Sequence, residues 1–214
     1  PNDERRVELA VKCFKMYMVL SQDDERTKFG SEQLKNSAGY FLGLFPDRLI
    51  AVYQKYTNNT EIMVGLIVCF FLAFRALADG DAATTLISKL DAKIVVSIMD
   101  KTLEDLRLQQ DCMWMLNFMA NSKRDEIAKA GGFTSIVRSM KRWNEDEKVQ
   151  LFGCIAIMNV CGERGGGRGK KARSAGCEAA VKSACEYLEK GGDNESLAAA
   201  KLAYKRMNKK CELM

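Results

Sequence analysis

The stretch Asp111–Cys161 reads DCMWMLNFMANSKRDEIAKAGGFTSIVRSMKRWNEDEKVQLFGCIAIMNVC, and it carries one pattern twice. Cys112, Met113, Trp114, Met115, Leu116 and Asn117 return as Cys154, Ile155, Ala156, Ile157, Met158 and Asn159. The echo lies 42 residues on, from 112 to 154. Units of about 40–47 residues built from helices stack into α-solenoids, in which each unit buries its apolar face on its neighbours. This repeat decides the reading of the fold.

Working outward, the same alternation of elements extends both ways. Ile50–Tyr56, Ile94–Met99, Ile136–Met140 and Ala180–Ala184 are overlaid as equivalent helices. Each is followed by a polar break and then a longer apolar helix. These longer helices are Ile62–Ala78, Leu106–Ala120, Val149–Cys161 and Ser196–Met207, read from apolar residues at helical spacing. Separate short linking helices are predicted at Ala82–Leu90, Lys123–Ala130 and Lys170–Ala175. Gly131–Gly132 and Gly176 supply the turns after them, because glycine accepts the left-handed backbone with which helices often end. Upstream, Val7–Leu20 and Glu32–Phe45 read as amphipathic helices, the second ending at Pro46.

The segments Lys129–Met140 and Val149–Val160 together resemble the armadillo-repeat family. They carry its small-Gly-x-aliphatic signature and its following helix with an Asn. The resemblance implies an all-α, right-handed α-solenoid of about three to four armadillo-type three-helix repeats with atypical capping helices. The expected organisation is N-terminal capping helices over 1–48 and armadillo-like repeats over 49–214. Their approximate limits are 49–92, 93–132, 133–177 and a partial C-terminal cap at 178–214.

Composition agrees with a folded helical chain. Of 214 residues, 47% are apolar and 29% charged, and Pro1 and Pro46 are its two prolines. Histidine is absent, which removes the commonest general base and the commonest metal ligand. The eight cysteines form no Cys-x-x-Cys pair and read as reduced, mostly buried thiols. The longest apolar run, Met63–Leu77, is interrupted by Arg75 and falls short of the ~20 residues a membrane span needs. The opening PNDERRVELA has no signal-peptide pattern. A cytoplasmic location is expected, or an organelle matrix or stroma after removal of a presequence. No enzyme activity, cofactor, metal or small-molecule substrate is expected.

The resemblance also implies a binding face. Armadillo proteins that bind extended peptides use an Asn on the long helix, with a Trp four residues earlier. Asn117 and Asn159 take the Asn place and Arg75 falls there in the preceding unit. Met113 and Ile155 stand where the Trp would be. In this register Trp114 is one residue off, and ~100° per residue turns it away from the face. Met113, sharing a face with Asn117, is expected to be exposed. A mid-helix Asn can equally serve neighbouring backbone. Trp143, at the end of a helix, is either a partly buried cap or an interface anchor. The partner-binding set is therefore Arg75, Met113, Asn117, Ile155, Asn159 and Trp143.

A second candidate is the segment Glu163–Arg173, ERGGGRGKKAR, expected to be flexible and cationic. A phosphate loop would need Gly at Arg164 and Ser or Thr at Lys171, so that reading fails. Residues 164–214 hold 12 Lys and Arg against 6 Asp and Glu, so the positive charge lies at this end. Arg164, Arg168, Lys170, Lys171 and Arg173 form the candidate anion-binding set, with an acidic protein, a lipid headgroup or RNA as its ligand. The expected function is a non-enzymatic scaffold or adaptor for a protein partner, acidic or extended. The alternatives are an accessory subunit of a large, membrane-associated or organellar complex, and RNA or anionic-surface binding.

Overall fold

Aspartate or glycine at the start of several helices divides the chain after Leu90 into elements. The computed structural model describes residues 55, 56, 59, 62, 65, 87, 90–163, 166–191 and 194–208. The predicted caps over 1–48, Arg75 and Arg164 lie outside the described residues. By its internal contacts the chain divides into two units, Pro1–Leu90 and Asp91–Met214. In the first unit, Asn59 Oδ1 accepts the backbone N–H of Ile62 at 3.1 Å, and Tyr56, Ile62, Ile87 and Leu90 are buried.

The second unit is all-helical among its described residues. Its helices are α1 (Ala92–Lys101), α2 (Leu106–Lys129), α3 (Gly132–Arg142), α4 (Glu147–Cys161), α5 (Gly166–Ser174), α6 (Cys177–Gly191) and α7 (Asn194–Asn208). Asp91, Asp105 and Asp146 cap α1, α2 and α4, their carboxylates accepting from Lys93, Leu108 and Val149 N–H at 2.8, 3.0 and 2.8 Å. Such a cap satisfies a donor with no partner inside the helix. Gly131 and Gly176, at φ 88° and 84°, make the left-handed turns before α3 and α6.

Lys123–Ala130 is helical as expected and is set off from the rest of α2 at Lys123, whose φ of −123° and ψ of 29° leave helical geometry. One expected element differs. The glycine-basic segment is helical from Gly166, four residues before the expected start. At Gly169, α5 lies so close to α7 that a Cβ would sit 2.9 Å from Met207 O. Buried Ala172 faces the same side.

The helices pack in order. α1 touches α3 and α3 touches α6, while α2 touches α4 and α4 touches α7. Within each consecutive pair, α1 packs on α2, α3 on α4 and α6 on α7. The core lies between these two rows. Its fully buried side chains include Met99, Met113 and Met115. α7 buries the stripe Ser196, Ala200, Ala203 and Met207, and exposes Leu202 and Tyr204.

Burial sets a register that differs from the echo in the sequence. Val95, Val96, Ile98 and Met99 of α1 are buried, as are Ile136, Val137, Ser139 and Met140 of α3. Leu108, Gln109, Cys112, Met113, Met115 and Leu116 of α2 match Val149, Gln150, Gly153, Cys154, Ala156 and Ile157 of α4. Every one of these pairs is 41 residues apart, as from 109 to 150. The expected offset of 42 is thus one residue too long. Cys154 is the counterpart of Met113, and Gly153 that of Cys112. Side-chain identity produced the echo, whereas capping and volume set the packing.

Candidate functional site

The 41-residue register redraws the expected binding face. Gln110, Trp114, Asn117 and Phe118 on α2 are half-buried. Their counterparts on α4, Leu151, Ile155, Met158 and Asn159, are half-buried too. They recur three and four residues apart, so each set forms one stripe of its helix. The Trp114 and Phe118 rings lie with centroids 4.0 Å apart at 45°. Asn159 Nδ2 donates to Asn117 Oδ1, joining the stripes of the two packed helices. That bond leaves Asn117 Nδ2 as a donor and Asn159 Oδ1 as an acceptor.

Three expectations are corrected here. Met113 is fully buried, so no partner reaches it in this structure. Its side chain occupies the core position that Cys154 fills in α4. Trp114 is not turned away: it stands in register with Ile155, four residues before the position of Asn159. Asn117 and Asn159 are not equivalent positions, since Asn117 matches Met158 and Phe118 matches Asn159. Phe118 and Met158, absent from the expected set, belong to the face. A signal for them was present. Asp105 with Gln109, and Asp146 with Gln150, repeat an Asp-x-x-x-Gln spacing at 41.

Trp143 is half-buried, at the C-terminal cap of α3. Its indole N–H donates to Leu103 O at 3.0 Å, and the Arg142 guanidinium lies 4.7 Å from the ring centroid. Tyr187 on α6 makes a similar contact, donating through its hydroxyl to Glu145 O at 2.7 Å. Trp143 also walls an open cleft of about 750 Å³ formed with Asp100–Arg107. The acids there are engaged within the chain. Asp100 accepts from Ser135 and Arg138 at 2.9 and 3.0 Å, and Glu104 pairs with Arg142, which holds its carboxyl below the usual range.

The candidate anion set is divided. Lys170 and Lys171 are exposed on α5. Arg168 ion-pairs with Asp125 at 2.8 Å and donates from Nε to Cys161 O at 3.3 Å. Arg173 donates through Nη1 to Met207 O. Two of the expected anion ligands therefore fasten α5 to α2, α4 and α7.

The cysteines Cys112, Cys154, Cys161, Cys177 and Cys185 are free. Burial pushes the Cys154 thiol up to about 12 and that of Cys161 to about 11. Cys112 and Cys177 are also raised, chiefly by desolvation. Thiols held protonated make poor nucleophiles and poor metal ligands. Among the described residues no group of His, Cys, Asp or Glu is arranged to hold a metal ion, and no helix is long and apolar enough to cross a membrane. Comparison with known proteins finds no matching family model, no matching curated protein and no matching solved structure.

Proposed function

We propose that Asp91–Met214 is an armadillo-type α-solenoid segment serving as a non-catalytic scaffold for a protein partner. The pairs α1–α2, α3–α4 and α6–α7 are its repeats, with the end of α2 and α5 as linking helices. The observation that carries this reading is the half-buried face of α2 and α4. It sets Trp114, Phe118, Ile155 and Met158 beside the Asn117–Asn159 pair. Aromatic and Met side chains supply adaptable contact area, and the amides can pair with an extended backbone. An extended peptide segment with apolar side chains is the partner this chemistry fits. Acidic residues in it would meet the exposed Lys201 and Lys205 of α7.

A second reading, an accessory subunit of a larger complex, draws on the same apolar stripe. Permanent interfaces are the more hydrophobic class. Capture of partners from native cells, followed by competition with a short peptide taken from the captured partner, separates the two. Displacement by the peptide supports the scaffold, and a partner held only as a folded subunit supports the accessory role. Retention of the partner by a Trp114→Ala, Asn159→Ala double variant would exclude this face from either. Binding that instead vanishes with salt points to an RNA or anionic-surface contact through Lys170 and Lys171.

A further inference from the structure

Outside the α2–α4 face, the most unusual chemistry lies where α2, α4 and α5 meet. Arg124 is the first residue beyond the kink at Lys123. Its Nε is buried and has no hydrogen-bond partner. Among the described residues no carboxylate forms an ion pair with it. A guanidinium stays protonated, so burying part of one without a counter-charge is costly.

Arg168 comes to the same place from α5. Its Nε and Nη1 are committed to Cys161 O and Asp125. Its Nη2 approaches Gly162, the residue that ends α4 with φ of +69°. A Cβ on Gly162 would lie 3.5 Å from that Nη2 and 3.2 Å from Arg124 Nη1. Two guanidinium groups from different helices thus converge on one point, kept open by a residue without a side chain. More positive charge surrounds it. Arg173 and Arg206 act with Arg168 on the Cys161 thiol, and Lys129 and Lys171 act on Asp125. Against these stand the Asp125 carboxylate, already paired, and the exposed Glu163.

We infer that Arg124 and Arg168, converging over Gly162, bind one oxyanion of the phosphate class. Guanidinium groups recognise tetrahedral oxyanions by charge-assisted hydrogen bonds, and the anion supplies the counter-charge that Arg124 lacks. Bound there, it ties the end of α2 to α5.

Thermal unfolding of the full chain tests this, in inorganic phosphate against sodium chloride at equal ionic strength. Wild type is expected to gain a saturable rise of about 2–4 °C at phosphate well above its dissociation constant. Arg124→Gln and Arg168→Gln should lose the rise, and Lys170→Gln should keep it. An equal response to chloride, or an Arg124→Gln protein that responds like wild type, overturns the inference. Phosphorus NMR of inorganic phosphate with wild type gives a second reading that does not depend on the folding of Arg124→Gln. Line broadening relieved by sulfate is expected, and unbroadened phosphate overturns the site. Phosphatidylcholine vesicles doped with phosphatidic acid separate a lipid source from a free anion. Vesicle binding competed by phosphate marks a headgroup as a ligand of this site; vesicle binding that phosphate leaves untouched overturns it.

Discussion

The side-chain amide of Gln150 donates to Met140 O at 2.9 Å, closing the end of α3 against the start of α4. The same Nε2 reaches Trp143 O at 3.0 Å. Gln109 makes the matching pair of bonds to Met99 O and Thr102 O, at 3.0 and 2.9 Å. Both glutamines are buried. Each satisfies two carbonyls that the helix end leaves without intrahelical donors. Gln150→Leu keeps similar volume but strands Met140 O, while Trp143 O keeps the Asp146 N–H at 3.1 Å. It should cost about 1–3 kcal/mol in urea unfolding. An unchanged midpoint would mean that water or backbone takes over the bonds.

The redrawn face predicts opposite behaviour for core and face residues. Met113→Ala opens a cavity in the core and should cost about 2–5 kcal/mol of stability. Asn159→Ala removes a half-exposed amide and should cost about 1 kcal/mol or less. Its effect should appear in partner capture, together with that of Trp114→Ala. Equal stability losses at Met113 and Asn159 would contradict the assignment of one to the core and the other to the face.

Trp143 and Tyr187 make the same kind of contact in successive pairs, each donating to a carbonyl of the preceding turn. Trp143→Phe keeps an aromatic ring and loses the N–H. A loss of about 0.5–1.5 kcal/mol is expected by chemical denaturation. Tyr187→Phe should lose less, because its hydroxyl bond is exposed to water. The reverse order would show that packing of the Tyr187 ring outweighs the hydrogen bonds.

The buried thiols predict a loss of stability in alkali. Each keeps its proton in the folded chain above pH 9, where an unfolded cysteine has lost it. The folded state then binds more protons, so stability falls as pH rises. The fall starts near the unfolded value of 9.0 and ends for each group as its folded thiol ionises, about 11 for Cys161 and about 12 for Cys154. The slope approaches about 1.4 kcal/mol per pH unit for each thiol fully in this window. Urea unfolding at several pH values above 8.5 measures it. At pH 8 a thiol reagent should modify Cys185, the half-buried one, before the other four described cysteines.

Much of the second unit was legible in the chain. Helix positions follow from apolar spacing, Asp caps and glycine turns, all local features, and the helices α1 to α4 appear where these signals place them. The buried character of Cys112 and Cys154 was also readable from their apolar surroundings. The register was not. A Cys and an Asn recurring 42 residues apart set the expected register, because letters carry no weight for volume or for the bonds a side chain makes. One residue of register turns a helix by about 100°. That single step moved Met113 into the core and brought Trp114 to the face.

Sequence alone thus pointed to the helices α1 to α4 and their turns, and to the concentration of positive charge toward the C-terminal end. Tertiary structure decided which side chains meet. Gln150 clamps a helix end only because α3 returns against α4. Asn117 and Asn159 pair only because α2 and α4 pack side by side. Arg124 and Arg168 converge only because α5 closes on the bend of α2. Each of these contacts joins different helices or the turns between them, and its geometry depends on how those helices pack.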